Sequence, residues 1–129
     1  MRDLSSLAAY IAAGEAVPFA WGTNDCVMFA AGAVLALTGI NPLAGIGRWK
    51  TERGALRALV RCGGLAAAVS SVLTEIPIAH AHRGDIGAIN GERGLLLVVI
   101  EGMTLVGPDL RGLSRLPRDQ LVQAWSSGS

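Results

Sequence analysis

The sequence predicts an α+β domain in which a helical N-terminal half packs on a small antiparallel β-sheet. Apolar residues recur at helical spacing as far as about residue 73. After Ile76 they fall in short runs that glycine-containing turns separate, which is typical of antiparallel strands. The length of 129 residues suits one core, so we expect residues 1–129 to form a single domain.

Composition argues against several classes of function. Apolar residues make up 51% of the chain, charged residues 16%, and the formal net charge is +1. Such a weak charge does not favour binding to nucleic acid or to an acidic membrane. The two cysteines, Cys26 and Cys62, have no zinc spacing, so no metal or cofactor is expected. No signal-peptide pattern and no apolar run of membrane-spanning length is present, which predicts a soluble protein made in a reducing cytoplasm.

Four helices are predicted from apolar periodicity and from residues that favour helix starts. Asp3, Asp25 and Thr51 are the expected N-caps of the first three helices. The second helix is apolar nearly all round, which indicates a buried central helix. The four predicted helices span residues 3–13, 25–37, 52–61 and 65–73.

The third predicted helix carries arginines at a spacing of four residues. We expect its apolar residues to face the core, namely Ala55, Leu56, Leu59 and Val60. The arginines are expected on the opposite side, as a solvated face rather than an anion site, and they are Arg53, Arg57 and Arg61.

Short apolar runs in the C-terminal half predict three or four antiparallel strands, at about 85–90, 95–101, 103–107 and 113–116. Residues 95–100 are apolar on both faces, which predicts the central strand of the sheet. Pro117 is expected to open a last short helix that runs to Trp125, with Trp125 holding that helix against the body.

The stretch 19–31 changes from a polar loop to an apolar helix at Asp25. An N-cap at Asp25 places Cys26 in the first helical turn, where unpaired N–H groups and the helix dipole stabilise a thiolate. Cys26 is therefore a candidate nucleophile, and the alternative is a small buried hydrophobic residue. Trp21 is either a cleft wall beside this cysteine or a core aromatic residue.

Several short motifs occur together in one order. They are Trp21-Gly22-x-x-Asp25-Cys26, Thr51-x-x-Gly54-Ala55-Leu56-Arg57, Arg83-Gly84-Asp85-Ile86, Gly107-Pro108-x-x-x-Gly112-Leu113 and Ala124-Trp125. In this order the chain resembles the NlpC/P60 branch of papain-like proteins. In particular it is similar to the small NlpC/P60-like proteins encoded in phage tail gene clusters, the DUF6950 group. The resemblance implies an NlpC/P60 (papain-like) type of α+β fold.

The resemblance implies a cysteine peptidase or amidase that cleaves the peptide stems of bacterial cell walls. Its Asp-Cys dipeptide corresponds to Asp25 and Cys26, with Cys26 as the nucleophile. The family's basic histidine opens a strand, and here that position falls on Leu96. The orienting position near residues 107–108 also lacks a polar side chain. Loss of an acid–base partner typically lowers the rate by about 10²–10⁴-fold.

Two histidines, His80 and His82, precede the Gly84-Asp85 motif, on the approach to the first predicted strand. They are weak candidates for a substitute base, because exposed loop histidines are the common case. Asp85 is expected to be a turn residue or a backbone acceptor rather than a catalytic acid.

These observations favour a non-catalytic structural or assembly component of a bacteriophage tail, at the tail tip or baseplate. Its expected partners are other tail proteins, and its expected location is the virion tail after assembly in the host cytoplasm. One alternative is a peptidoglycan cysteine hydrolase that uses Cys26 and contacts the cell wall. Another is an assembly factor that holds an extended peptide in a cleft bordered by Trp21 and Leu96.

Overall fold

The computed structural model describes residues 2–42 and 46–128. Within these residues the chain forms an α+β fold of four α-helices and one six-stranded antiparallel sheet. The helices are α1 (Leu4–Gly14), α2 (Cys26–Thr38), α3 (Glu52–Arg61) and α4 (Leu65–Ser70). The strands are β1 (Thr74–Ile76), β2 (Ile86–Gly91), β3 (Gly94–Ile100), β4 (Thr104–Asp109), β5 (Gly112–Pro117) and β6 (Gln123–Ser126).

The first three helices begin where the sequence predicts. The Asp3 carboxylate accepts the backbone N–H of Ser6, and the Thr51 hydroxyl accepts that of Gly54. Asp25 caps α2 through its side chain in the same way. The predicted extension of the fourth helix to residue 73 is wrong, because α4 ends at Ser70 and β1 begins at Thr74.

The strand order across the sheet is β1-β6-β2-β3-β4-β5. β3 lies between β2 and β4 and is one of the two middle strands of the six, which agrees with the predicted central strand. Its side chains alternate between two cores. Val99 faces α2 and the main core, whereas Ile100 packs in a second cluster on the opposite face of the sheet.

The predicted C-terminal helix over residues 117–125 is wrong. A short 3₁₀ turn covers Arg118–Gln120, and Trp125 lies on β6, where it pairs with Ile86 of β2. Leu121, Ala124 and Trp125 have helical spacing, which explains the misleading pattern. In the strand, Ala124 and Trp125 instead project to the two different cores of the sheet.

The predicted inward face of α3 is wrong for two of its four residues. Ala55 is buried, but Leu56 is 57% exposed and Val60 is 72% exposed. Successive helix residues are rotated by about 100°, so Leu56 and Val60 share the solvent face with Arg53 and Arg57. The small side chains of α3 make the contact with the core.

Candidate functional site

Asp25 organises the start of α2 and the loop before it. Its side chain is 1% exposed and accepts four hydrogen bonds. Oδ1 accepts the backbone N–H groups of Val27 at 3.1 Å and Met28 at 2.9 Å. Oδ2 accepts the Gly22 N–H at 2.9 Å and the Trp49 indole N–H at 2.7 Å. The carboxylate therefore acts as a structural acceptor that fixes the position of the next residue, Cys26.

Gly22 permits the close contact between this loop and the Trp49 backbone. Its φ is +83°, and a Cβ there would overlap the carbonyl oxygen of Trp49. Gly39, at the C-terminus of α2, has a matching φ of +81° but open space around it.

We therefore expect Gly22→Ala to destabilise the protein by roughly 2 kcal/mol more than Gly39→Ala. Both substitutions carry the cost of a left-handed alanine, so their difference isolates the clash with the Trp49 carbonyl. Urea denaturation of the two variants measures this difference. Equal losses of stability would show that the loop rearranges without cost.

The thiol of Cys26 faces a separation between β3 and β4. In the described residues, the β3–β4 register consists of Val99 with Val106 and Ile100 with Leu105. Its continuation would place Leu97 opposite Pro108, which has no N–H to donate. This proline accounts for the end of the pairing, since an interior strand loses a ladder hydrogen bond at proline.

The backbone groups of Leu97 point into this separation. Ile100 donates its N–H to the Asp85 carbonyl and accepts the Gly84 N–H, so its backbone groups point away from β4. Alternation along the strand turns the groups of Leu97 the other way, towards β4. There the Leu97 amide lies close enough to the sulfur of Cys26 to act towards a lower pKa of its thiol.

A pocket of about 310 Å³ occupies this gap, with Cys26 in its wall. Aliphatic and aromatic side chains supply most of the lining, and they come from both faces of the sheet. The polar residues in the wall are Asp109 and Ser114. The apolar residues are Phe19, Ile89, Leu96, Leu97, Val98, Leu105, Pro108 and Leu116.

Burial raises the pKa of the half-buried Cys26 thiol. The amide of Leu97 and the backbone N–H groups at the start of α2 act in the opposite direction, and the carboxylate of Asp25 adds to the increase. The helix N-terminus thus lowers the pKa of Cys26, as expected, but desolvation in an apolar pocket raises the pKa by more. Cys26 consequently lacks the low pKa of an activated nucleophile.

Leu96 and Trp21 differ in their relation to this pocket. Leu96 lines it and is 46% exposed, so it lies at the mouth. Trp21 packs edge-on against Phe19, with ring centroids 4.8 Å apart, and Phe19 is the aromatic residue in the wall. Trp21 therefore supports the wall from outside. The sequence does not identify the role of Pro108, because the residue opposite it is set only by the β3–β4 register.

The histidines belong to a different cluster, around the buried Asp85. This carboxylate accepts the backbone N–H groups of His82 at 3.0 Å and Ser127 at 3.1 Å, and Arg2 lies 3.2 Å away. Asp85 is thus a backbone acceptor, which confirms its predicted role. The His82 ring contacts Arg2 at 3.2 Å, and His80 is exposed.

The structure does not bring these imidazoles to the cysteine. Asp85 lies beside Ile100, whereas Cys26 contacts Leu97, three residues or about 10 Å earlier along β3. Neither histidine is among the residues that line the pocket.

Other chemical features give no further site in the part of the chain that the structure describes. No group of three or more His, Cys, Asp or Glu side chains is placed to hold a metal ion there. Among the helices of residues 2–42 and 46–128, none is both long and apolar enough to span a membrane.

The chain belongs to a family described as a domain of unknown function, DUF6950, whose model matches residues 2–127. Comparison with curated proteins gave no match, and comparison with solved structures gave none either. The family description assigns no activity. The function is therefore inferred from the site.

Proposed function

We propose that this protein is a non-catalytic structural or assembly component of a bacteriophage tail, with a degenerate NlpC/P60-like fold. Its Cys26 pocket holds an apolar side chain of a partner protein. The observation that carries the proposal is a thiol at the start of α2 that faces an apolar pocket without an imidazole in its described lining. The assignment to a phage tail, at the tip or baseplate, is supported by the sequence resemblance.

The loss of catalysis follows from three properties of the site. Burial keeps Cys26 in the thiol form at neutral pH. The position that corresponds to the catalytic base is occupied by Leu96, whose side chain has no group that can accept a proton. Asp25 is saturated by four hydrogen bonds, and Asp85 is held at the Ile100 end of the sheet.

The surroundings of the pocket support a binding role. Leu96 at its mouth is exposed, and so is Leu110, which follows the lining residue Asp109 and is 83% exposed. Exposed apolar residues around a concave site are typical of binding surfaces. The N-terminal half of β3 also turns backbone groups towards the gap, where an extended segment of a partner can add hydrogen bonds.

A cell-wall cysteine hydrolase is the second candidate. The position of the Leu97 amide near the sulfur favours it, because an N–H group that donates to a thiolate stabilises the charged form and lowers the pKa. This function requires a base that another molecule supplies or that rearrangement brings to Cys26.

Alkylation by iodoacetamide as a function of pH tests the proposal. Since burial raises the pKa in the folded state, the thiolate fraction at each pH is lower than in the unfolded chain. We expect the labelling rate of Cys26 to be low at pH 7 and to rise only above pH ~8.5, the ordinary range of a cysteine. By linkage, stability falls as the pH rises above this range, because the unfolded chain ionises first.

The measurement uses a Cys62→Ser background, so that Cys26 is the one thiol, and a Cys26→Ser variant as the blank. The same protein in urea gives the rate of the exposed thiol. Rapid labelling of the folded protein at pH 6, together with cleavage of a peptidoglycan stem peptide that Cys26→Ser abolishes, would establish the hydrolase instead.

A further inference from the structure

We propose that the solvent face of α3 is a docking surface for an acidic amphipathic helix of a partner protein. We define the α3 face as the five residues Arg53, Leu56, Arg57, Val60 and Arg61. The inference is independent of the Cys26 pocket, because none of these residues lines it.

The α3 face combines aliphatic and cationic side chains on one side of the helix. With about 100° between successive residues, its five members cover roughly 140° of the circumference. Leu56 and Val60 are 57% and 72% exposed and lie one turn apart, so they form a continuous aliphatic ridge. The opposite side of α3 packs on the core through Ala55 and Ala58, which are 3% and 1% exposed.

Positive charge is concentrated around this ridge. Residues 48–61 contain five of the 11 lysines and arginines of the chain but one of its ten acidic residues. That acidic residue, Glu52, lies 3.3 Å from Arg93, outside the segment. Among the described residues, the arginines of the α3 face form no ion pair with any carboxylate of the chain.

Charge complementarity indicates which kind of partner the α3 face binds. Three arginines beside an aliphatic ridge match a helix that presents aliphatic residues flanked by glutamates, since guanidinium groups bind carboxylates through paired hydrogen bonds. Arginine around an apolar centre is also the usual composition of protein interfaces. A second copy of α3 would place like charges together, and nucleic acid would leave Leu56 and Val60 without apolar contacts. Two aliphatic side chains without an aromatic anchor are few for insertion into a membrane.

The test uses a synthetic fluorescent peptide of about 14 residues, or roughly four helical turns, with leucines on one face and glutamates beside them. Fluorescence anisotropy at physiological salt measures its binding to the whole protein. Two control peptides keep one property each. In the first control, alanines replace the leucines and the charge is kept. In the second, glutamines replace the glutamates and the apolar face is kept. We expect binding of the first peptide and about tenfold or greater weakening with either control.

Surface variants of the protein locate the binding site. We expect Leu56→Ser with Val60→Ser, and separately Arg57→Gln, to weaken binding by about tenfold. Met103→Ser and Arg111→Gln are the matched controls, because they remove an exposed apolar side chain and an exposed charge in the turns beside β4. Circular dichroism verifies that each variant is folded.

No binding of the first peptide overturns the proposal. Equal binding of the alanine peptide also overturns it, because the contact would then be general electrostatic attraction. Binding that weakens with the control variants as much as with the α3 variants contradicts the assigned location. The protein is also tested with anionic vesicles and with duplex DNA. If one of these binds, the peptide does not, and Leu56→Ser with Val60→Ser abolishes that binding, the α3 face is assigned to that ligand instead.

Discussion

Replacing Asp25 by alanine is expected to lower the free energy of unfolding by about 4 kcal/mol. The substitution removes the cap of α2 and leaves two donors, the partly buried Gly22 amide and the buried Trp49 indole, without an acceptor. Each unsatisfied buried donor typically costs about 1–3 kcal/mol, and loss of a cap costs about 1 kcal/mol. Urea denaturation measures the change.

Two conservative variants separate these contributions. Trp49→Phe removes one donor and keeps the Asp25 cap, so we expect a loss of about 1–2 kcal/mol. Asp25→Asn keeps one carbonyl oxygen as acceptor and should lie between Trp49→Phe and Asp25→Ala. A loss below about 1 kcal/mol for Asp25→Ala would contradict the assigned role, because a single exposed cap accounts for that much.

The same variants also report on the pocket. Asp25 positions Cys26 through the first turn of α2, so Asp25→Ala should increase the alkylation rate of Cys26 in the folded protein. Trp49→Phe leaves both capping hydrogen bonds intact and should change this rate less.

Features that depend on neighbouring residues in the sequence were predictable. Asp3, Asp25 and Thr51 signal helix starts through contacts within three residues, and all three cap the predicted helices. The apolar run of β3 indicated an interior strand because a sheet covered on both faces requires it. The absence of an imidazole at Leu96 could also be read directly from the sequence.

Features that depend on contacts across the fold were not predictable in the same way. The gap beside Cys26 arises because a continued β3–β4 register would place Pro108, which has no N–H, opposite Leu97. That register is set only when β3 and β4 pair. The pKa of Cys26 depends on its burial against the sheet. The sequence left two alternatives open, a thiolate at the helix N-terminus and a small buried hydrophobic residue, because burial depends on contacts across the fold. In α3, the side that meets the core is decided by Ala55 and Ala58, whose small size permits close approach.

Replacing Trp125 by alanine is expected to lower the free energy of unfolding by about 4 kcal/mol, as is usual for a buried tryptophan. Trp125 is 0% exposed and packs in the core between the sheet and the helices. Its position on β6 pairs it with Ile86 on one side and Glu75 on the other, so β1 is attached to the sheet through this strand. Thermal or urea denaturation measures the loss of stability.

The hydrogen bond from the Trp125 indole to the Ser70 hydroxyl, at 2.9 Å, connects this strand to α4. Trp125→Phe removes this bond and part of the volume, and we expect it to cost about 1–2 kcal/mol. In a double-mutant cycle with Ser70→Ala, the two changes should be less than additive, because either one removes the same bond. Additive losses would show that the bond contributes no stability. A small effect of Trp125→Ala would contradict its place in the core, since a tryptophan on an exposed terminal helix leaves no cavity when it is truncated.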